Sequence, residues 1–113
     1  MRAPLISLLA VLAFAAAGTT APAAGKANPN RGKSLYKASC KSCHGTGGEA
    51  KTLSPLTKTQ AQWQKFFKAS VAGCAKKAEA RNGKPLLPQD LLDMETYLVA
   101  HAADSDQPET CGQ

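Results

Sequence analysis

The chain has 113 residues and a formal net charge of +6, enough for one small domain with a modest apolar core. The basic balance suits an acidic partner, but no nucleic-acid motif or aromatic platform accompanies it, which leaves nucleic-acid binding without support. No stretch is apolar and long enough to span a bilayer, and no internal repeat is present.

Residues 1–23 read as a targeting segment, with Arg2 as the positive start and Leu5 to Ala17 as a short apolar run. Ala15-Ala16-Ala17 and Ala21-Pro22-Ala23 offer small-x-small cleavage sites. The expectation is export out of a bacterial cytoplasm with cleavage there, leaving a mature domain over 24–113; an uncleaved anchor is the alternative. Within that domain the charge is segregated. All Lys and Arg lie between Lys26 and Lys84, against Glu49 and Glu79, and the acids Asp90, Asp93, Glu95, Asp104, Asp106 and Glu109 come after them.

Asn28 or Asn30 can cap a first helix, with Pro29 tolerated in its first turn, and the helix is expected over about 31–42. Gly32, four residues before Tyr36, would let another helix approach closely. At its end stands Cys40-Lys41-Ser42-Cys43-His44, the C-x-x-C-H signature of covalent haem attachment. Two thiols three positions apart on one helical turn can both reach the vinyl groups of a porphyrin, and the next imidazole falls beneath the iron as proximal ligand. A redox dithiol and half of a zinc site are the alternatives. Zinc needs a second ligand pair, and the only other histidine is His101. A thioredoxin-like dithiol needs alternating strands and helices.

Gly45 to Gly48 break the helix, and a polar loop leads to Leu53-Ser54-Pro55-Leu56. The proximal imidazole needs an acceptor for its second nitrogen, and the Pro55 carbonyl is the expected one. Thr59 can cap a second helix over 60–71, in which Trp63, Phe66, Phe67 and Val71 make one apolar face and Gly73 makes the stop. The indole N–H of Trp63 wants a partner when buried, a haem propionate being one candidate. Residues 76–81 can form another helical turn before Asn82-Gly83 and Pro85. A last helix is expected over 89–103, with Leu91, Met94 and Leu98 on its apolar stripe beside Tyr97. A polar tail completes the chain and carries Cys111. Cys74 and Cys111 make an even pair in an oxidising compartment and are expected to form a disulfide; free thiols, or ligation of the iron by Cys74, are the alternatives.

These features together resemble the small class I c-type cytochromes. Arg31 to Tyr36 before Cys40 is similar to that family's glycine–aromatic first helix, Pro55-Leu56 to its proline–leucine, and Leu91 to Leu98 to its closing helix. The resemblance covers about residues 28–103. It implies an all-α cytochrome c-like fold of three main helices and long loops around one covalent haem c, with Gly32 and Tyr36 meeting the helix that holds Tyr97. The family's usual sixth ligand, a methionine before the last helix, is absent: Lys84-Pro85 stands where Met-Pro is common. Met94 and Lys84 are therefore the candidate sixth ligands, with His101, Asn82, water or a vacant site behind them. In its cysteine after a Trp/Phe-bearing helix the chain also resembles sphaeroides haem protein-type cytochromes, whose distal ligand is displaceable.

The implied function is single-electron transfer in the periplasm. Cys40 and Cys43 would hold the haem and His44 would ligate the iron, and the lysines Lys33, Lys37, Lys41 and Lys51 would meet an acidic redox partner. Tyr36, Leu56, Trp63, Phe66, Leu91, Met94 and Leu98 are the expected apolar shell. A ligand-binding haem protein with an open sixth site, and a haem subunit of a larger oxidoreductase, are the competing expectations. No acid–base pair or nucleophile constellation points to an independent enzyme.

Overall fold

Asn28 begins the first helix because its side chain can take a backbone N–H that the helix leaves without a partner. In the computed structural model, which describes residues 25–45, 47–48 and 50–110, Asn28 Oδ1 accepts from Arg31 N–H at 3.1 Å. Pro29, with no N–H to satisfy, starts the first turn, so α1 runs Pro29–Ser39. The chain breaks at Cys40 and resumes as α2, Lys41–His44, so the single helix expected to about Ser42 is two. The expected targeting segment and Cys111 lie outside the described residues.

A 3₁₀ turn at Pro55–Thr57 leads to α3, Gln60–Ala69. Thr59 and Gln62 cap it reciprocally: Thr59 Oγ1 accepts from Gln62 N–H at 3.2 Å and Gln62 Oε1 from Thr59 N–H at 2.9 Å. Gly73 is not the expected stop. After a break at Ser70, α4 runs Val71–Asn82 straight through it. Four alanines are interspersed there with Lys, Glu and Arg, and their summed helix propensity exceeds the roughly 1 kcal/mol that one internal glycine costs. The stop is Gly83, at φ 72° in the left-handed conformation. The last helix, α5, spans Pro88–Ala100.

The fold is all-helical among the described residues, with α2 and α4 added to the three main helices expected. Its centre is the crossing of α1 and α5. A Cβ on Gly32 would run into the carbonyl of Asp93, so only glycine lets the two backbones meet there. One turn on, Tyr36 meets Tyr97 with ring centroids 5.9 Å apart. The core comprises Tyr36, Trp63, Met94, Tyr97, Leu98 and Ala102.

Beside the crossing lies a buried polar knot that hydrophobic periodicity does not signal. Asp93 is 1 % exposed and accepts from Asn28 N–H at 2.9 Å, Arg31 Nη1 at 2.5 Å and Gln89 Nε2 at 2.8 Å. The Asn28 N–H, with Arg31 beside it, holds the Asp93 carboxyl below its usual range, and hydrogen bonds to Asp93 and Asp90 raise the Arg31 guanidinium. Asp90 also pairs with Arg31 and accepts from Leu87 N–H at 2.9 Å. After α5 the tail folds back. Ala103 N–H reaches Lys58 O at 3.2 Å, and Glu109 N–H reaches His101 O at 3.1 Å.

Candidate functional site

The helical turn that carries Cys40 and Cys43 places both thiols, with His44, on one wall of a cavity of about 540 Å³. Trp63, Phe66 and Phe67 of α3, with Val71 at the head of α4, supply an apolar wall; Met94 and Leu98 of α5 and Leu86 before it supply another. Leu53, Ala50 and Lys58 add to the lining from the loop and the turn before α3. The volume lies in the ordinary range for a cofactor site, about 300–1,000 Å³. An apolar chamber with two thiols and an imidazole on one wall fits haem c.

The imidazole is oriented by backbone. His44 Nδ1–H donates to the carbonyl of Lys51 at 2.8 Å, because a carbonyl only accepts; Nε2 is left with the lone pair that a metal takes. The acceptor is thus Lys51 rather than the Pro55 carbonyl expected from the sequence. The loop makes this choice by folding back onto α2: Ala50 N–H bonds Cys43 O at 2.9 Å and Leu53 N–H bonds His44 O at 2.8 Å. The Pro55 carbonyl instead accepts the indole N–H of Trp63 at 2.9 Å. That corrects a second expectation, since the indole is then not available to a propionate.

Burial pushes the Cys40 thiol up to about 11, with the neighbouring Cys74 and Cys43 adding to it. At neutral pH Cys40 is therefore a thiol. Arg81 Nη1 lies 3.6 Å from Cys43 Sγ. Helix α4 thus runs along the thiol edge, from Cys74 near Cys40 to Arg81 at Cys43, with Lys77 and Ala78 between them on the lining. The spacing 74, 77, 78, 81 is the i, i+3, i+4, i+7 stripe of a helix face. That stripe is the sequence signal of the α4 edge of the site, masked by Gly73, which on its own signals a stop.

Of the candidate sixth ligands, Met94 is 1 % exposed and on the cavity wall. Lys84 and Asn82 are exposed and outside the lining. His101 is also outside it; its Nδ1 donates to Gln107 O at 2.8 Å and its ring packs on Tyr97 at 5.0 Å. Three members of the expected shell are elsewhere. Leu56 is 45 % exposed, because Pro55 takes the inward place in the 3₁₀ turn. Tyr36 is buried in the α1–α5 crossing, and Leu91 is half-buried outside the lining. Cys74 is exposed on α4; its expected partner Cys111 lies outside the described residues.

Among the described residues no strand is present, and no group of three or more His, Cys, Asp or Glu side chains could hold a metal ion. None of the described helices is long and apolar enough to cross a membrane. A family model described as cytochrome C oxidase, cbb3-type, subunit III matches residues 27–98. No curated protein and no solved structure matches the chain.

Proposed function

The chain belongs to the cytochrome c family described as cbb3-type cytochrome oxidase subunit III, whose cofactor is haem c and whose work is haem-based electron transfer, and from that premise we propose that it is an exported monohaem carrier of single electrons. The observation that carries the proposal is the wall formed by Cys40, Cys43 and His44, with the imidazole turned by the Lys51 carbonyl so that Nε2 is free for iron. Bound haem supplies a one-electron ferric–ferrous couple. The chain's part is to hold and to shield. Cys40 and Cys43 anchor the macrocycle, Lys51 fixes the ring plane of His44, and Phe66, Phe67, Leu86 and Leu98 keep water from the iron. A low-dielectric surround disfavours the extra positive charge of the ferric state and raises the potential.

Arg2 and the apolar run from Leu5 support export to the periplasm, where Cys74 and Cys111 would pair. The lysines at 33, 37, 41 and 51 support docking of an acidic redox protein at the motif's edge. The family description supports attachment to an oxidase as a subunit, which stable co-purification with a partner chain would reveal.

Met94 is the thioether that borders the cavity and is the proposed sixth ligand. A second reading is favoured by one observation: Met94 is 1 % exposed and packed into the core with Tyr36, Tyr97 and Leu98, which restricts how far its sulfur can follow the iron. The sixth position would then be open to a small exogenous ligand. Absorption spectra of the ferric and ferrous holo-protein, with and without carbon monoxide, separate the two. Low-spin iron in both states, unmoved by carbon monoxide and with a far-red sulfur band lost in Met94→Leu, is expected of the carrier. High-spin iron that binds carbon monoxide readily gives the second reading, and no covalent haem overturns both.

A further inference from the structure

Haem c carries two propionate carboxylates on the side of the macrocycle away from its vinyl groups. A carboxylate taken into an apolar chamber needs a charged or hydrogen-bonding partner. The neutral donor nominated by the sequence, the indole N–H of Trp63, is already given to Pro55. Two ammonium groups border the cavity among the described residues, Lys58 and Lys77.

They stand on different elements. Lys77 lies on α4 between Cys74 and Arg81, the two residues that border Cys40 and Cys43, so it belongs to the thiol edge, where the vinyl groups must be. Lys58 lies at the end of the 3₁₀ turn, ahead of α3. Its place is set by backbone and ring contacts: its carbonyl accepts from Ala103 N–H at 3.2 Å, and its Nζ lies 5.7 Å from the centroid of the Trp63 ring. It is half-buried, and no ion pair involves it among the described residues. Asp104, the residue after Ala103, is engaged with the head of α3 and accepts from Gln60 N–H at 2.7 Å.

We infer that Lys58 is the counter-ion of a haem propionate, a positioning residue that orients the macrocycle from the edge away from its thioether bonds. The inference rests on the haem-attachment reading. The place of Lys58 over Trp63 gives the indole a second role: the ring face carries the ammonium while the ring edge is tied to Pro55. The ammonium also keeps the propionate ionised at neutral pH and disfavours the ferric charge.

The test is a titration of midpoint potential against pH in the purified full-chain holo-protein and in Lys58→Gln, Lys58→Arg and Lys77→Gln. In Lys58→Gln the potential falls at high pH and the pH-linked step moves up toward neutrality, because the propionate loses the charge that lowered its pKa. Lys58→Arg restores the parent profile, whereas Lys77→Gln, which removes a charge at the thiol edge, lowers the potential at every pH but leaves the pH-linked step where it is. A Lys58→Gln profile identical to the parent's, or the same change produced by Lys77→Gln, overturns the assignment. Should Lys58→Gln fail to mature, carbon-13 NMR of the propionates in the parent decides: one carboxyl held below the ordinary range supports the pairing, and two ordinary carboxyls overturn it. A parent without covalent haem overturns the underlying haem reading, whereas covalent haem with an unmoved profile overturns Lys58 alone.

Discussion

Gly32 and Asp93 touch through their backbones, the α-carbon of one against the carbonyl of the other. This contact sets the α1–α5 crossing, and the crossing in turn positions both the haem motif at the end of α1 and Met94 on α5. A methyl group added in Gly32→Ala has no flexible neighbour to push aside, because the obstacle is backbone. The variant is expected to lose about 1–3 kcal/mol, as overpacked sites do, and denaturant unfolding of the holo-protein measures it.

The Asp93 carboxyl has a depressed pKa in the folded chain, chiefly because Asn28 N–H and Arg31 favour its ionised form. A depressed acid contributes stability that is fully present above its unfolded pKa, about 3.9, and is lost as pH falls toward the folded value. The melting temperature is therefore expected to hold from pH 7 to about 5 and to drop below about 4. Asp93→Asn lowers the neutral plateau and flattens the acid limb. Melting curves across that range check both; an acid limb as steep in Asp93→Asn as in the parent would count against the account.

Trp63→Phe keeps an aromatic body in the core and removes the N–H that serves Pro55. The buried carbonyl is left without its donor, a loss of about 1–3 kcal/mol in unfolding experiments. The pH profile of the midpoint potential is expected to stay as in the parent, since the indole N–H faces backbone and not a propionate.

Single replacements Cys40→Ser and Cys43→Ser each leave one thioether, and the pyridine haemochrome band is expected to shift to the red of the parent's in both. The double variant is expected to carry no haem through denaturing electrophoresis. A double variant that keeps its haem would show attachment elsewhere, with Cys74 the thiol to examine because it borders the same cavity.

Local sequence determined the elements whose signals act within a few residues. The caps at Asn28 and Thr59, the apolar stripe of α5, the close-approach role of Gly32 and the C-x-x-C-H turn were all readable, because each depends on spacing along one segment. Helix α4 is not legible in its segment because its local signals conflict, with Gly73 opposing the helix-favouring residues after it. Tertiary structure alone decided the rest. Every residue presents a similar carbonyl, so no pattern distinguishes Lys51 from Pro55 as the acceptor for His44; the fold of the loop does. The same fold hands Pro55 to Trp63, turns Leu56 outward and brings Lys58 onto the cavity. The ionic knot at Asp93 likewise joins residues more than sixty positions apart. Side-chain type and spacing specify which groups exist and which helical face they share, but only chain closure specifies which of many equivalent polar partners each one meets.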